Sequence, residues 1–472
     1  MLEGLEISEI QLSQAHLSHN DFRLDSEFYG QANLRKDVAV RKISHDSLGA
    51  MCELIAGPFG SAITTENYDP DSKYRYIRAT DIKSFFLNDN DPVFVNETTF
   101  REFPQFHLQE NDILLTVVGM NFGKPAIIQK EDCPAIFSCK STLIRNPTVN
   151  PWYLLTYLSS NVGHGLIRRG QRGAAQPGIN LSDIENITVP LFSADFQQGI
   201  EALAKRSCSL VTKSKASYRN AETLLLKTLG IANYSPSTTT VNLKSLKDSF
   251  AATGRLDAEY YQPKYEDYEH AIVNHPAGFT TIATEFDWVK ETSQREKSAY
   301  NYIEIGDVNV TDGAASFNRM NAEELPANAK QEAQRGDLLI SKVRPNRGAV
   351  AIIDFDDTDL IVSGAFTVLR EKDDSVFSNE TLKVLLRTPM YRDWMLKFNI
   401  GTQYPVIRDE DILNLPIPRI DEDAQAEISA LVKESFSLKT ESERLQEIAM
   451  RAVVIAIEQD ENAGLTYIET NS

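Results

Sequence analysis

Cysteine and long apolar runs are both scarce in this chain of 472 residues. The 4 cysteines form no CxxC pair and have no histidine beside them, so neither a disulfide framework nor a structural zinc site is expected. No apolar run approaches the roughly 18 residues that cross a membrane, and the first residues lack the basic and apolar segments of a signal peptide. We therefore expect a cytoplasmic protein of a reducing compartment, without a membrane partner.

Positive charge is also in the minority. The sequence has 48 Lys and Arg against 67 Asp and Glu, which gives a formal net charge of −19. This balance argues against a protein that coats nucleic acid through bulk charge, and against a polybasic membrane binder. It remains compatible with local basic loops on an acidic body.

The motifs of common catalytic sites are missing. Gly123-Lys124 is followed by proline and forms no P-loop, and neither GxSxG nor HExxH occurs. The 7 histidines, among them His16, lack the spacing of metal ligands. Asn150-Pro151-Trp152-Tyr153 resembles the Asn-Pro-Pro-Tyr loop of amino-methyltransferases, but no glycine-rich cofactor loop precedes it. A helix start, with Asn150 as N-cap and Pro151 in the first turn, is the better interpretation.

The sequence contains an internal repeat of one unit. RLDSEFY at 23–29 returns as RLDAEYY at 255–261. Further blocks recur in the same order: 75–82 with 301–308, 108–128 with 333–353, 176–190 with 404–418, and 196–210 with 424–438. The offsets stay between 225 and 232 residues, which indicates a tandem duplication whose loops have diverged.

Each copy has a β-rich part followed by a long helix. Short β-branched runs such as 112–118 and 337–343 end at glycine or proline turns and predict strands. The stretches 196–230 and 424–458 instead carry apolar residues at near-heptad spacing, with Gly230 ending the first. A helix of about 35 residues is about 50 Å long and cannot bury such a stripe alone. We expect the two helices to pack against each other.

Basic loops stand out on this acidic chain. Residues 166–173 (LIRRGQRG) and 341–348 (SKVRPNRG) combine arginines with glycines, and arginine pairs well with guanine edges and phosphates while Asn and Gln match adenine. A solvated charged turn explains one such loop equally well, but its recurrence in a duplicated scaffold favours binding. The candidate DNA-binding residues are Arg78, Lys124, Arg168, Arg169, Gln171, Arg172, Lys342, Arg344, Asn346, Arg347, Lys397 and Gln403.

Four aspartates recur at equivalent points of the two copies. Asp81 and Asp112 in the first copy correspond to Asp307 and Asp337 in the second, beside glycine or threonine at strand ends. Such residues are typical of turns and caps, so we do not predict metal ligands. We assign no catalytic, cofactor-binding or metal-binding residue to this chain.

The order of these blocks resembles the DNA-specificity (S) subunit of type I restriction–modification systems. The shared phrases are the Gly57–Ser61 block ahead of 76–82, the Asp-Ile/Leu-Leu strand at 112–115 and 337–340, and the lead into a Gln-containing helix at 183–197 and 411–425. The resemblance covers about residues 20–458. It implies a non-catalytic subunit of an adenine-N6 methyltransferase/restriction endonuclease complex. Two target-recognition domains would each read one half of a split, asymmetric site in double-stranded DNA.

The resemblance also implies partners and a fold. Two methyltransferase subunits would dock on the helices, which would set the spacer, and restriction subunits would join in the full complex. S-adenosylmethionine, and ATP with Mg²⁺ in a restriction motor, would bind only to those partners. The implied fold is α+β, with two tandem β-rich α/β target-recognition domains each followed by a long helix, and the helices packed as an antiparallel coiled coil with pseudo-twofold symmetry. The bounds are 1–190 and 243–418 for the domains, 191–232 and 419–458 for the central and distal long helices, 233–242 for a linker and 459–472 for a flexible tail.

The net charge of −19 is the main departure from a DNA-binding protein. We expect weak, steeply salt-dependent DNA binding by the isolated chain. The alternative is a duplicated S-like adaptor whose acidic surface meets a basic protein, without sequence-specific DNA binding.

Overall fold

The computed structural model describes residues 8–13, 15, 19, 21, 23–88, 91–119, 122–173, 176–232, 234–356 and 359–472. His16 and position 233 of the predicted linker lie outside these residues. The chain divides into two compact units. The first unit holds the residues up to Val211 together with Lys439–Ser472, and the second holds Thr212–Leu438.

The first unit contains nine of the strands that the structure describes. They are β1 (His45–Ser47), β2 (Glu53–Ala56), β3 (Tyr74–Ile77), β4 (Val93–Val95), β5 (Ile113–Thr116), β6 (Pro125–Ile127), β7 (Ala135–Phe137), β8 (Ser141–Arg145) and β9 (Thr188–Pro190). They form a four-stranded sheet in the order β2-β8-β5-β6, a three-stranded sheet β4-β3-β7 and a pair β1-β9. Its shorter α-helices are Gln31–Arg41, Leu48–Met51, Glu97–Glu102, Pro151–Ser159, Asn161–Arg169, Leu181–Glu185 and Glu461–Asn471.

The second unit repeats this plan. Its strands are β10 (Phe279–Thr281), β11 (Phe286–Trp288), β12 (Ala299–Ile303), β13 (Asn318–Asn321), β14 (Ala329–Glu332), β15 (Leu338–Ser341), β16 (Val350–Ile352), β17 (Leu360–Ser363), β18 (Phe366–Glu371) and β19 (Pro416–Pro418). The four-stranded sheet β11-β18-β15-β16 has the strand order of its counterpart in the first unit. The shorter α-helices are Phe250–Thr253, Pro263–Val273, Ile282–Glu285, Asn379–Arg387, Pro389–Trp394 and Asp409–Leu413.

The core of each unit lies on both faces of the four-stranded sheet. Along β5, Ile113 and Leu115 join one apolar cluster and Leu114 joins another, as the twofold periodicity of a strand requires. In β15 the same alternation places Leu338 and Ile340 on one face and Leu339 on the other. The strands predicted from the β-branched runs are therefore confirmed, and both are buried on their two faces.

The recurring aspartates are turn and cap residues, as the sequence predicts. The Asp112 Oδ2 accepts from Gln109 N at 2.8 Å, and the Asp337 Oδ2 accepts from Gln334 N at 2.9 Å. Each carboxylate also accepts two guanidinium N–H groups, from Arg145 or Arg370, on the strand beside it. Asp81 and Asp307 accept from the backbone N–H three residues before them. Among the residues described, no group of His, Cys, Asp or Glu side chains is placed to hold a metal ion.

The two long helices are the central long helix, Ala194–Thr228, and the distal long helix, Glu422–Glu458. They pair within each unit, and the pairing is antiparallel because residue numbers rise along one helix as they fall along the other. In the first unit the Oγ atoms of Ser207 and Ser442 lie 2.9 Å apart; in the second those of Ser214 and Ser435 lie 3.1 Å apart. An offset of 228 relates Ser207 to Ser435 and Ser214 to Ser442, so both pairs use the same helix face.

The apolar stripe of the long helices is confirmed in its main positions, while the serines between them are a finding of the structure. Ile200 and Leu445 are fully buried, and so are Ser207 and Ser442. A buried hydroxyl costs free energy unless it is hydrogen-bonded, and the Ser442 Oγ lies 2.9 Å from the Ser207 carbonyl oxygen, to which it donates. The small side chains allow this direct contact between the helices.

Two other predictions about helix ends had different outcomes. Asn150 caps the helix Pro151–Ser159 by accepting from Trp152 N and Tyr153 N, as predicted. The prediction of a flexible tail at 459–472 is wrong, because Glu461–Asn471 form a helix. Asp460 caps it by accepting from Ala463 N, and Ile468 is buried against the first unit's core. In the part of the chain that the structure describes, no helix combines the length and apolar content needed to cross a membrane.

The buried serine contact predicts how the helix pair responds to substitution. Replacing Ser442 with alanine removes its hydrogen bonds to Ser207 and should lower the free energy of unfolding by about 1 kcal/mol. Ser442→Leu should lower it by about 1–3 kcal/mol more, because the side chain has no room to expand. Denaturant unfolding measures both changes. Ser437→Leu, at an exposed position of the same helix, is the control, and an equal loss in that variant would contradict the prediction.

Candidate nucleic-acid interface

The four-stranded sheet of the first unit ends in a row of loops at one edge. Because neighbouring strands are antiparallel, the loops after β2 and β5 and those before β8 and β6 all lie at that edge. We call the described residues of these loops, 57–62, 117–119, 122–124 and 138–140, together with 170–173 and 176–178 of the adjoining loop, the first loop edge. Backbone hydrogen bonds join its loops. Val117 N donates to Lys140 O at 2.9 Å, and Gly119 N donates to Pro177 O at 2.9 Å.

The second unit has an equivalent second loop edge, formed by residues 289–297, 342–349, 364–365 and 399–406. Lys342 N donates to Ala365 O at 2.9 Å, and Arg344 N donates to Pro405 O at 2.8 Å, which repeats the two contacts of the first unit at equivalent positions. The loops that the sequence singles out as basic are therefore brought together in both units.

Glycine is required at the same turn of both loop edges. A Cβ on Gly173 would lie 2.8 Å from the Gln176 carbonyl oxygen, and a Cβ on Gly401 would lie 2.1 Å from that of Tyr404. Both distances are too short for a real side chain. Sterics therefore require glycine at both positions, Gly173 and Gly401, whereas the neighbouring side chains differ.

The arginine of the repeated RLD motif, Arg23 or Arg255, hydrogen-bonds to the backbone of this loop in each unit. Arg23 donates to the carbonyl oxygens of Gly170 and Gln171, at 3.0 and 2.8 Å. Arg255 donates to the carbonyl of Asn399, the counterpart of Gln171, at 2.9 Å. Hydrogen bonding to Asp257 raises the pKa of the Arg255 guanidinium and holds it in place. The duplicated motif thus supports the backbone of the same loop in each unit.

Five candidate DNA-binding residues are engaged in ion pairs within their own units: Arg78 with Asp81 at 3.1 Å, Arg169 with Asp37 at 2.8 Å, Arg172 with Asp183 at 2.6 Å, Lys342 with Asp409 at 2.8 Å and Lys397 with Glu269 at 3.1 Å. Arg169 is only 7% exposed and also donates to the carbonyl of Phe28. Its guanidinium therefore supports the fold and is not exposed for contact with DNA. Sequence alone shows the basic residues but not which carboxylates face them.

Other candidates lie at the surface of the second loop edge. Arg344, Arg347 and Gln403 are exposed, and the Arg344 guanidinium lies 5.3 Å from the centre of the Tyr404 ring. Arg344 adopts a left-handed backbone conformation, with φ of 51°, at the position where the first unit has Gly119. Asn346 points inward: its Oδ1 is buried and has no hydrogen-bond partner among the described residues.

Cations also lie close to Lys124 of the first loop edge. The Arg168 guanidinium lies 4.4 Å from the centre of the Phe122 ring. Burial, and then the charges of Lys83 and Arg168, lower the pKa of Lys124, so the three cations are close enough to interact. Gln171, in the loop that follows Arg168, is half-buried. The grouping concentrates positive charge at one edge of an acidic chain.

Sequence reasoning missed two residues of the first loop edge. Lys140 is exposed on the turn before β8, and Phe59 is 90% exposed on the loop after β2. Neither lies in a basic run, so composition gives no signal for them. Knowledge of the strand register would have identified them, because the register places both loops at this edge.

Comparisons with known proteins agree with the resemblance seen in the sequence. No family model matches the chain. A curated relative, the type I restriction enzyme HindI specificity subunit of Haemophilus influenzae, is 28% identical over 136 residues. That match spans 27% of this chain and 29% of the relative. The predicted similarity to type I specificity subunits is confirmed.

Solved structures with a related description cover most of the chain at low similarity. The S subunit of a type I system from M. genitalium matches with a TM-score of 0.41 and 10% identity, over 90% of this chain and 95% of that one. The HsdS subunit from Thermoanaerobacter tengcongensis gives 0.29 and 15%, over 88% and 96%. A structure describing assembly and conformational transition of the type I system gives 0.29 and 16%, over 88% and 97%.

The support that Arg255 gives to the loop 399–406 can be tested in the second unit. Arg255→Met keeps the length of the side chain but removes the donor to Asn399, so the loop 399–406 should open more often. Loss of one charge-assisted hydrogen bond predicts about tenfold faster hydrogen exchange of the loop amides. Arg319→Met, at a surface ion pair of the same unit, is the control. Unchanged exchange in 399–406 would contradict this role.

Proposed function

We propose that this chain is the DNA sequence-specificity subunit of a type I restriction–modification complex, and that each loop edge reads one half of a split, asymmetric site. The observation that carries the proposal is the repeated loop edge, which has the same backbone contacts in both units and different side chains. A common framework with different exposed groups suits two different half-sites.

The chemistry of the two edges supports reading of DNA. The second presents Arg344, Arg347 and Gln403, whose planar or forked donors match base edges and phosphates. The first presents the half-buried Lys124 and Arg168 and, on a separate loop of the same edge, the exposed Lys140. Since phosphate contacts orient a protein and base contacts specify the sequence, the two edges combine both kinds of group.

The left-handed backbone of Arg344 adds a further argument. Residues other than glycine rarely adopt positive φ, and such outliers persist where the surrounding structure enforces them, often at functional sites. The first unit meets the same backbone requirement with Gly119. In the second unit arginine occupies this position despite the free-energy cost of positive φ, and it places a guanidinium at the loop edge.

The partners and cofactors follow from the proposed family. We propose that the long helices set the spacer between the half-sites and dock two methyltransferase subunits, with restriction subunits joining in the full complex. This chain would itself be non-catalytic. S-adenosylmethionine, and ATP with Mg²⁺, would be bound by those partners, which would also carry out base flipping and adenine-N6 methylation.

Base reading can be separated from phosphate contact by two substitutions. Arg344→Ala should weaken binding of the full chain by about 1–3 kcal/mol and relax sequence preference in one half-site only. Lys140→Ala should weaken binding to all sequences alike and lower the slope of log Kd against log salt by about one. Binding is measured at low salt, on duplexes that the wild-type chain selects from a randomised pool.

Matched controls lie at the opposite end of the same sheets. Arg335 and Lys130 are exposed there, and their alanine variants should bind as the wild type does. A wild-type chain that selects no sequence at any salt concentration would contradict the proposal and favour the protein-interaction adaptor.

The partners are tested by a tagged pull-down from the native cell. Mass spectrometry should find an adenine methyltransferase in a ratio near two to one over this chain. Each unit contains one paired stretch of the two long helices, and each stretch would bind one copy. Recovery of no methyltransferase at low salt would contradict the proposed assembly.

A further inference from the structure

The first loop edge carries an aromatic ring that base-edge and phosphate contacts leave without a role. Phe59 is 90% exposed, although Pro58 before it and Ile63 after it are buried. A single exposed apolar side chain is ordinary on a protein surface. Here, however, the chain on both sides of the ring is anchored in the fold.

Backbone contacts fix the position of this ring. Gly57 N donates to Ser141 O at 3.1 Å, and a Cβ on Gly57 would lie 2.2 Å from the Ser138 carbonyl oxygen, so only glycine fits. Ala62 N donates to Phe59 O at 2.8 Å and closes the turn. Ile63 then packs in an apolar cluster with Tyr76 and Ile136. The loop is therefore built to hold Phe59 away from the core.

The loop of the ring packs against a loop that ends in a cation. Gly57 packs on the turn at Ser138, and the same turn ends at the exposed Lys140, whose carbonyl accepts from Val117 N. An exposed aromatic ring on a loop next to that of an exposed lysine is suited to nucleic acid, since the ring can stack on bases while the cation binds a phosphate. This neighbourhood favours DNA over an apolar protein partner.

The second unit has no such ring at the equivalent place. β2 and β11 pair with equivalent strands, so the loop 289–297 after β11 corresponds to the loop of Phe59. Its sequence, VKETSQREK, contains no aromatic residue. The ring is thus a property of the first half of the duplication and would act on one half-site only.

We propose that Phe59 inserts between stacked bases of the half-site read by the first unit and acts as an apolar wedge. The inference rests on the proposed function and adds to it a second way of reading sequence. Apolar wedges partly unstack a base step and kink the duplex. Pyrimidine–purine steps deform most easily, so the wedge would favour such a step without forming a hydrogen bond to it.

The test uses the full chain and a duplex that the wild type selects from a randomised pool, with 2-aminopurine placed at successive positions. Wild-type binding should raise the 2-aminopurine fluorescence at one step, because unstacking relieves quenching. Phe59→Ala should abolish that signal and weaken binding about 5- to 100-fold. The slope of log Kd against log salt should stay unchanged, since no charge is removed. Phe59→Trp should keep the signal.

Controls separate the possible failures. Val38→Ala removes an exposed apolar side chain from the helix Gln31–Arg41 and should bind as the wild type does. Thermal unfolding of Phe59→Ala should match the wild type, because the ring is exposed. A wild type that selects no sequence would overturn the proposed function and the wedge with it.

Two results would overturn the wedge alone. In the first, the wild type selects a site, but Phe59→Ala binds it equally well. In the second, Phe59→Ala binds more weakly, no position shows unstacking, and replacing thymine by uracil causes the same loss in the wild type. The ring would then contact a thymine methyl group in the groove instead.

Discussion

Each unit is organised around a central strand that is buried on both faces, β5 in the first and β15 in the second. Apolar side chains of β5 enter two separate clusters, so its backbone groups have no access to water and must pair with strands on both sides. Polar groups can appear only where the strand ends. At one end Asp112 caps the turn and binds Arg145; at the other lies the loop edge. The location of the candidate interface is therefore a consequence of this burial.

The same framework explains how an acidic chain can present basic loops. Many carboxylates serve the fold rather than the surface potential, and Asp183, which is buried, accepts from both Arg23 and Arg172. Such buried pairs are needed once both charges are desolvated, because an unpaired partner would be costly. The formal net charge counts these buried carboxylates in the same way as exposed ones. It is thus a poor guide to the local field at the loop edges, where Arg344 and Lys140 are exposed.

The sequence predicts what depends on pattern and misses what depends on three-dimensional neighbours. The duplication, the long helices, the strands of the β-branched runs and the Asn150 cap all follow from periodicity or residue type, and the structure confirms them. The ion pair of Arg169 with Asp37 joins residues 132 positions apart, and no local pattern reveals it. The serines in the helix seam look like solvent-facing residues in the sequence. The final helix was missed because polar residues dominate it, although Ile468 anchors it.

The pair Gly119 and Arg344 shows where duplicated units are free to diverge. Both positions have positive φ, and both donate their backbone N–H to the carbonyl of an equivalent proline. The loop therefore constrains the backbone and leaves the side chain open. Arginine in this conformation costs about 1–3 kcal/mol relative to a relaxed residue. Its stacking on Tyr404 offsets about 0.5–1 kcal/mol of that cost. The backbone of the loop edges is held by the sheet, by the arginine of the RLD motif and by the glycine turn. Divergence between the two units is thus limited to side chains that tolerate this backbone.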